Sequence, residues 1–392
     1  MTRILVAPVD AHISNREYGK SYNILNNLGE SKVRVDAYVG EELTPIEAEN
    51  VHVHEFHTRN RLKYYGKSFQ KVARELRSGT VDVYHHMNLS YRWFNPVLLA
   101  GVGSDIPTVV GPCQAGHEIF AEEFNLIFSK AFGVDTPRTL SDPLYDAFNA
   151  TRDSMIDPVR MALFQRTLEA ADRIIVVHED AKDTYAKYVD ETKIDVIPLG
   201  VDPDIFEFRP RKETHDLVAI GRLKRRKGYD VLFKALPKVI ESFPDTHLHV
   251  FGEGPAEPTL KGLARELGVN NHITFHGYVE QSVVREYLER ARAFVHPSRS
   301  ESFSLVRLEA MAVGCPVVVT DVSGAKEMVN DGDVGFVVPT ESPGAIAEAV
   351  LKLISDFDLA TAMGERARER IEVKYDWRDI GSQYLDVYNS IH

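Results

Sequence analysis

Residues 198–210 read Pro198-Leu-Gly-Val-Asp-Pro-Asp-Ile-Phe-Glu-Phe-Arg-Pro210, a stretch rich in prolines and turn residues that divides the chain into two similar halves. Short β-branched runs precede it at 4–7, 33–39, 81–84, 107–110, 173–177 and 194–197. A second set follows at 217–220, 247–251, 272–275, 293–296, 316–320 and 335–338. Several are apolar throughout, as parallel strands covered on both faces are. Helical patterns lie between them, for example Leu232, Leu236, Val239 and Ile240 on one face. This alternation implies right-handed crossovers and an α/β protein of two Rossmann-like, doubly wound domains. Ligands of such sheets bind at the carboxyl ends of the strands, so the two domains are expected to face each other across a cleft. The expected boundaries are 1–198 for the first domain, 199–372 for the second, and 373–392 for a C-terminal helix packing back on the first. Residues 119–157 hold no clear strand and many aromatic and acidic residues, which predicts short helices near the cleft.

Composition narrows the function. Across 392 residues, 44% hydrophobic and 27% charged is the balance of a globular protein. A net charge of -12 repels nucleic acid overall. The two cysteines, Cys113 and Cys315, form neither a disulfide framework nor a metal site. His52, His54, His57, His85 and His86 have no ligand pattern around them and read as loop or sheet-face residues. No run approaches the ~20 apolar residues of a membrane span, and the apolar stretch after Met-Thr-Arg is too short for a signal peptide. The expectation is a cytoplasmic protein without a bound metal.

The strongest chemical signal is His296-Pro-Ser-Arg-Ser-Glu301-Ser-Phe-Ser-Leu-Val-Arg-Leu-Glu309-Ala-Met-Ala-Val-Gly314. It opens at the end of a buried strand. Ser302 can cap a helix and Gly314 can stop it, which would leave the amides of Phe303, Ser304 and Leu305 facing a phosphate. Glu309, seven residues past that cap, lies roughly 10 Å along the axis, so one carboxylate suits a sugar and the other a ribose. Two glutamates eight apart on a surface helix are by themselves solvated charges; the preceding strand, the cap and the Gly-Cys-Pro turn set these apart. The second signal is Gly221-Arg-Leu-Lys-Arg-Arg-Lys-Gly228, again at a strand end. Gly221 permits a sharp turn, and Arg222 and Lys227 supply a fork and a point charge for a diphosphate. The competing reading of this basic run is a solvated loop or a polyanion patch.

These residues, with Ile197-Pro-Leu-Gly-Val-Asp202, Gly252-Glu-Gly-Pro255 and the tail Tyr375-Asp-Trp377 followed by Tyr384, resemble the retaining glycosyltransferases of family four. The resemblance runs from about residue 171 to the end and is weaker before it, resting there on Gly111-Pro112-Cys-Gln-Ala-Gly116-His117-Glu118. It implies the GT-B fold and transfer of a hexose from a UDP-sugar or GDP-sugar to a hydroxyl of a saccharide or lipid-linked acceptor, such as a cell-envelope glycan. By position, Arg222 and Lys227 would hold the donor diphosphate, Glu309 the ribose, and Glu301 the sugar hydroxyls. The amides of Phe303, Ser304 and Leu305 would hold sugar and phosphate oxygens, and His117 would contact sugar near the reacting carbon. Similar enzymes need neither metal nor cofactor. Many carry Gly where this chain has Ser304, and paired glycines where it has Asn15-Arg-Glu-Tyr-Gly19; only Gly19 is left there to approach a phosphate.

Other readings remain open: a phosphorylase or sugar-nucleotide epimerase of the same fold, or a non-catalytic nucleotide-sugar-binding protein. A Rossmann oxidoreductase is disfavoured because no G-x-G-x-x-G follows the first strand. Residues 59–77 hold seven bases and one acid, Glu75. On a helix, Lys63, Lys67, Lys71, Arg74 and Arg77 share one stripe, and Tyr65, Phe69, Val72 and Leu76 the opposite side. Such a stripe is either a solvated face or a peripheral contact with an anionic membrane.

Overall fold

The computed structural model describes residues 1–9, 19–29, 32–42, 44–58, 61–87, 97–101, 103–113, 157–209, 213–330 and 332–392. The chain forms two compact units, one of Met1–Pro198 with Ile380–His392, the other of Leu199–Asp379. Residues 373–379 thus go with the second unit. Residues 119–156 of the expected helical insertion lie outside the described residues.

The first unit holds a seven-stranded sheet of β1 (Thr2–Val6), β2 (Val33–Val39), β3 (Val51–Glu55), β4 (Val83–His86), β5 (Thr108–Cys113), β6 (Arg173–Val176) and β7 (Ile194–Val196), in the order β3-β2-β1-β4-β5-β6-β7. Every pairing is parallel. β3 was not expected. Its sequence Val-His-Val-His-Glu alternates, and only Val51 is buried, as suits an edge strand with one wet face. β4 runs two residues later than expected, which buries His85 and His86 completely. His85 sits between the Tyr388 hydroxyl (2.7 Å) and the Gly111 carbonyl (3.0 Å), and burial lowers its pKa to about 4.

The helix Arg61–Arg77 covers this sheet through Tyr64, Ser68, Val72 and Leu76. Two parts of the expected pattern differ. Phe69 is 37% exposed rather than packed on the sheet. Lys71 is half-buried, paired with Glu75 at 2.6 Å and lying over the Tyr38 ring. Both positions lie on the flanks of the buried stripe.

The second unit holds β8 (Leu217–Ile220), β9 (Leu248–Phe251), β10 (Ile273–Gly277), β11 (Ala293–His296), β12 (Val317–Thr320) and β13 (Gly335–Val338), in the order β10-β9-β8-β11-β12-β13. All of these pairings are parallel too. Side chains alternate between two cores. Leu217, Ala219, Val295 and Val318 pack on one face with the helices Tyr229–Ser242 and Pro343–Ser355. Val218, Phe294, Val317 and Val319 pack on the other with Leu305–Ala312 and Phe357–Lys374. Period-two alternation with both faces buried explains the unbroken apolar runs. In both sheets the order reverses beside the unit's first strand, at β1/β4 and β8/β11, where crevices open at the carboxyl ends.

Candidate functional site

Two loops leave the carboxyl ends of β8 and β11, the neighbouring strands at the switch point of the second unit. The first turns sharply at Gly221, whose φ of 141° suits glycine, passes through the single turn Arg225–Lys227, and enters the helix at Gly228. The second crosses it closely: a Cβ on Gly228 would lie 1.9 Å from the Pro297 carbonyl oxygen. The missing side chain at 228 is therefore what lets the two loops touch.

Charged groups from both loops converge. The Lys227 ammonium donates to the Glu301 carboxylate in a short ion pair, and Arg226 stands 3.7 Å from its other oxygen. Glu301 is 8% exposed, His296 2% and Arg307 0%. Arg307, from the helix Leu305–Ala312, donates its Nε–H to Nδ1 of His296 at 2.9 Å. Nε2 of His296 faces Ser298 Oγ at 3.1 Å and Lys227 Nζ at 3.3 Å.

Three cations thus surround one carboxylate. Burial alone would raise the Glu301 pKa, but Lys227 and Arg226 more than offset it and the net shift is downward. Lys227 is shifted downward as well, by burial, with Arg226 and Arg307 acting against the pull of Glu301. Burial thus sets the direction for Lys227, and the surrounding cations set it for Glu301. His296 is held neutral, first by burial and then by the same cations. The arrangement is suited chemically to an anion of more than one charge.

The helix start differs in one respect from the sequence reading. Ser304, not Ser302, is the N-cap, so Phe303 and Ser304 precede the helix and its first amides are those of Leu305 and Val306, which have no intrahelical acceptor. Glu309 then lies five residues past the cap, about 7.5 Å along the axis. Gly314 ends the element in the left-handed region at φ 74°. Glu309 accepts from Gln281 at 2.9 Å, and burial raises its pKa to about 7.

Of the residues singled out by sequence, Lys227 and Glu301 meet directly. Arg222 is exposed, and its guanidinium has no hydrogen-bond or ion-pair partner among the described residues. Gly19 belongs to the first unit and precedes the helix Lys20–Asn26 with φ −58°, an ordinary value for any residue. His117 lies outside the described residues. Sequence reasoning missed Arg226, His296, Arg307 and Gln281 as site residues. The available signal was Arg307 itself, a charge within the apolar Leu-Val-Arg-Leu face of a core helix. Among the described residues no group of three or more His, Cys, Asp or Glu could hold a metal ion.

Known proteins match both halves. The profile of glycosyl transferases group 1 matches residues 201–370, and that of glycosyltransferase family 4 matches residues 21–205. A GDP-mannose-dependent alpha-(1-6)-phosphatidylinositol monomannoside mannosyltransferase of Mycobacterium tuberculosis is 31% identical over 248 residues, 58% of this chain and 64% of the relative. The chain thus spans slightly less than two thirds of that relative's length. The Mycolicibacterium smegmatis protein of the same name is 32% identical over 286 residues, 65% of this chain and 75% of the relative. Among solved structures, a sucrose-phosphate synthase from Thermosynechococcus elongatus superposes with a TM-score of 0.70 at 19% identity, covering 100% of this chain and 99% of the other. HepE of Anabaena in complex with UDP superposes at 0.71 with 15% identity, covering 100% of both chains; these two likenesses speak to the fold. On the two matched profiles and the three-quarters coverage of the second mannosyltransferase, this chain belongs to glycosyltransferase family 4, group 1, and has its two-domain GT-B fold.

Proposed function

We propose that the chain is a retaining hexosyltransferase that moves a sugar from a nucleoside diphosphate sugar to a hydroxyl of a saccharide or lipid-linked acceptor. The observation that carries this reading is the cluster of Arg226, Lys227 and Arg307 around the single carboxylate Glu301, at the carboxyl end of β11 beside a helix start. A diphosphate supplies the negative charge that the cluster lacks. In this reading Arg222 and Lys227 hold the diphosphate, Glu309 accepts from the ribose hydroxyls, Glu301 from the sugar hydroxyls, and the amides around 303–305 bind sugar and phosphate oxygens. His117 contacts the sugar, and Gly19 lies on the acceptor side. Leaving-group charge is neutralised by fixed cations and backbone dipoles without a metal. Glu301 is engaged by Lys227, so we favour substitution on one face, in which the departing phosphate oxygen takes the acceptor's proton, over a double displacement through a carboxylate nucleophile.

The mycobacterial relatives are named GDP-mannose-dependent, which makes GDP-mannose the first donor to test, followed by UDP sugars. The same names describe a lipid-linked acceptor, and no helix among the described residues is long and apolar enough to cross a membrane. We therefore propose a cytoplasmic protein in which exposed Lys63, Lys67, Arg74 and Arg77, with Phe69 at their flank, meet an anionic membrane surface.

The test is nucleotide release from each donor with a panel of acceptors, the product's anomeric configuration being read by proton NMR. Acceptor-dependent release with the donor's anomeric configuration kept supports the reading. Release that depends on inorganic phosphate makes the chain a phosphorylase, and tight binding without turnover makes it a binding protein.

A further inference from the structure

Arg307 is an expensive residue at its position. Its side chain is completely buried, and both terminal nitrogens, Nη1 and Nη2, lack a hydrogen-bond partner among the described residues. Desolvation lowers its pKa to about 10, which still leaves it a cation at neutral pH. A leucine would fill a core helix at lower cost, since apolar replacements of buried charges are often neutral or stabilising. Among the described residues, the one bond the guanidinium makes to a side chain is Nε–H to His296 Nδ1, at 2.9 Å.

That bond has a strict consequence. A guanidinium has donors only, so Nδ1 of His296 must be the acceptor. A neutral imidazole that accepts at Nδ1 carries its proton at Nε2. We infer that Arg307 is a positioning residue of the donor site, pinning His296 as a neutral Nε2–H donor that cannot act as a general base. This rests on the donor-site reading for its purpose, not for its chemistry. The groups facing the ring agree with it. Ser298 Oγ can accept from Nε2–H at 3.1 Å, and Glu301 Oε2 lies 3.7 Å away. Lys227 Nζ and Arg226 supply positive charge against a second proton, and Phe294 stacks on the ring at 5.8 Å. Lys227 Nζ at 3.3 Å is a donor facing a donor. Lys227 is therefore held by Glu301 and not by His296, and a phosphate would have to compete only with that carboxylate for it, while His296 offers Nε2–H to Ser298 or to a ligand oxygen.

The tautomer is read directly by nitrogen-15 NMR of the full chain labelled at histidine, with the His296 signals assigned by their loss in His296→Gln. We expect a bare Nδ1 and a protonated Nε2 from pH 5.5 to 8.5. In Arg307→Leu the ring should take up both tautomers or titrate within that range. Arg307→Gln, whose carboxamide can still donate to Nδ1, should restore the Nε2–H form. A proton on Nδ1 in the wild type, or an unchanged tautomer in a folded Arg307→Leu, would overturn the inference. Neither readout needs a sugar donor, so failure here is separate from failure of the proposed activity. If both hold, kcat should fall at least tenfold in Arg307→Leu, and less in Arg307→Gln, with KM for the donor little changed. Loss of turnover in both variants alike, despite a restored tautomer, would also count against it.

Discussion

Glu309 carries a testable pH signature. Its carboxyl, held near 7 by burial against the donation from Gln281, is mostly protonated at pH 6 and mostly ionised at pH 8. A ribose diol donates hydrogen bonds and is accepted better by the charged form. Nucleoside diphosphate affinity should therefore rise from pH 6 to pH 8, by up to about tenfold for one pKa unit crossed, with proton release on binding near pH 7. Calorimetry in buffers of different ionisation heat measures that release. In Glu309→Gln only the nucleotide's own titration should remain, and an identical slope in both proteins would remove Glu309 from the ribose site. The placement of Glu301 after a strand end and of Glu309 in the helix that follows was legible in the sequence, because strand, loop and helix signals frame them; their roles are proposals. Arg307 was passed over because a lone charge in a helical pattern reads as a surface position, although its apolar Leu-Val-Arg-Leu neighbours were the signal for a buried one. Ser302 and Ser304 are equally good caps by type, and only the observed dihedrals decide between them.

At the scale of elements, the glycines divide by what surrounds them. Gly228 combines a φ of 66° with a carbonyl oxygen 1.9 Å from any added Cβ, so Gly228→Ala should cost roughly 2–5 kcal/mol through strain and overpacking. Gly262, inside the helix Glu257–Glu266 with nothing within 4 Å, should gain about 0.5–1 kcal/mol as alanine. Chemical denaturation of the two variants checks the contrast, and equal effects would contradict the close crossing of the loops. The helix Arg61–Arg77 bears the membrane proposal. Binding to anionic liposomes should be salt-sensitive, absent from neutral ones, and abolished by changing Lys63, Arg74 and Arg77 to Gln, while donor hydrolysis persists; cosedimentation measures it. Lys71 is left out because Glu75 and the Tyr38 ring engage it. Most strands could be read from apolar runs, whereas β3 could not: two valines spaced by histidines are too short a signal for a half-wet edge strand.

For the whole molecule, the sequence repeats one plan, and the division at Pro198/Leu199 falls where proline and turn residues concentrate. Ile380–His392 group with the first unit, where residues 373–392 were expected to pack, through contacts far apart in sequence, among them Tyr388 with His85; those partners no local pattern reveals. His85 is neutral in the fold with a pKa lowered to about 4, so its stabilisation is present above about pH 6.5 and is lost as pH falls towards 4, by at most about 3 kcal/mol. Tyr388→Phe leaves Nδ1 without its donor and should cost about 1–3 kcal/mol, seen as a lower denaturation midpoint; no change would show that the bond contributes nothing net. The central claim is that the positive cluster of the second unit, with Arg222 at its loop, receives a nucleoside diphosphate. Lys227→Ala is a poor probe of it, because it strips a buried carboxylate of its partner and such losses cost about 3–5 kcal/mol of stability. Arg222 is exposed and without a side-chain partner among the described residues, so its removal should leave the melting temperature unchanged. The most direct measurement is calorimetric titration of GDP and UDP into the wild type and Arg222→Ala. The account predicts that at least one nucleotide binds the wild type and binds the variant tenfold or more weakly, a loss of about 1.4 kcal/mol or more; equal affinity in the two proteins, or no binding to either, would contradict it.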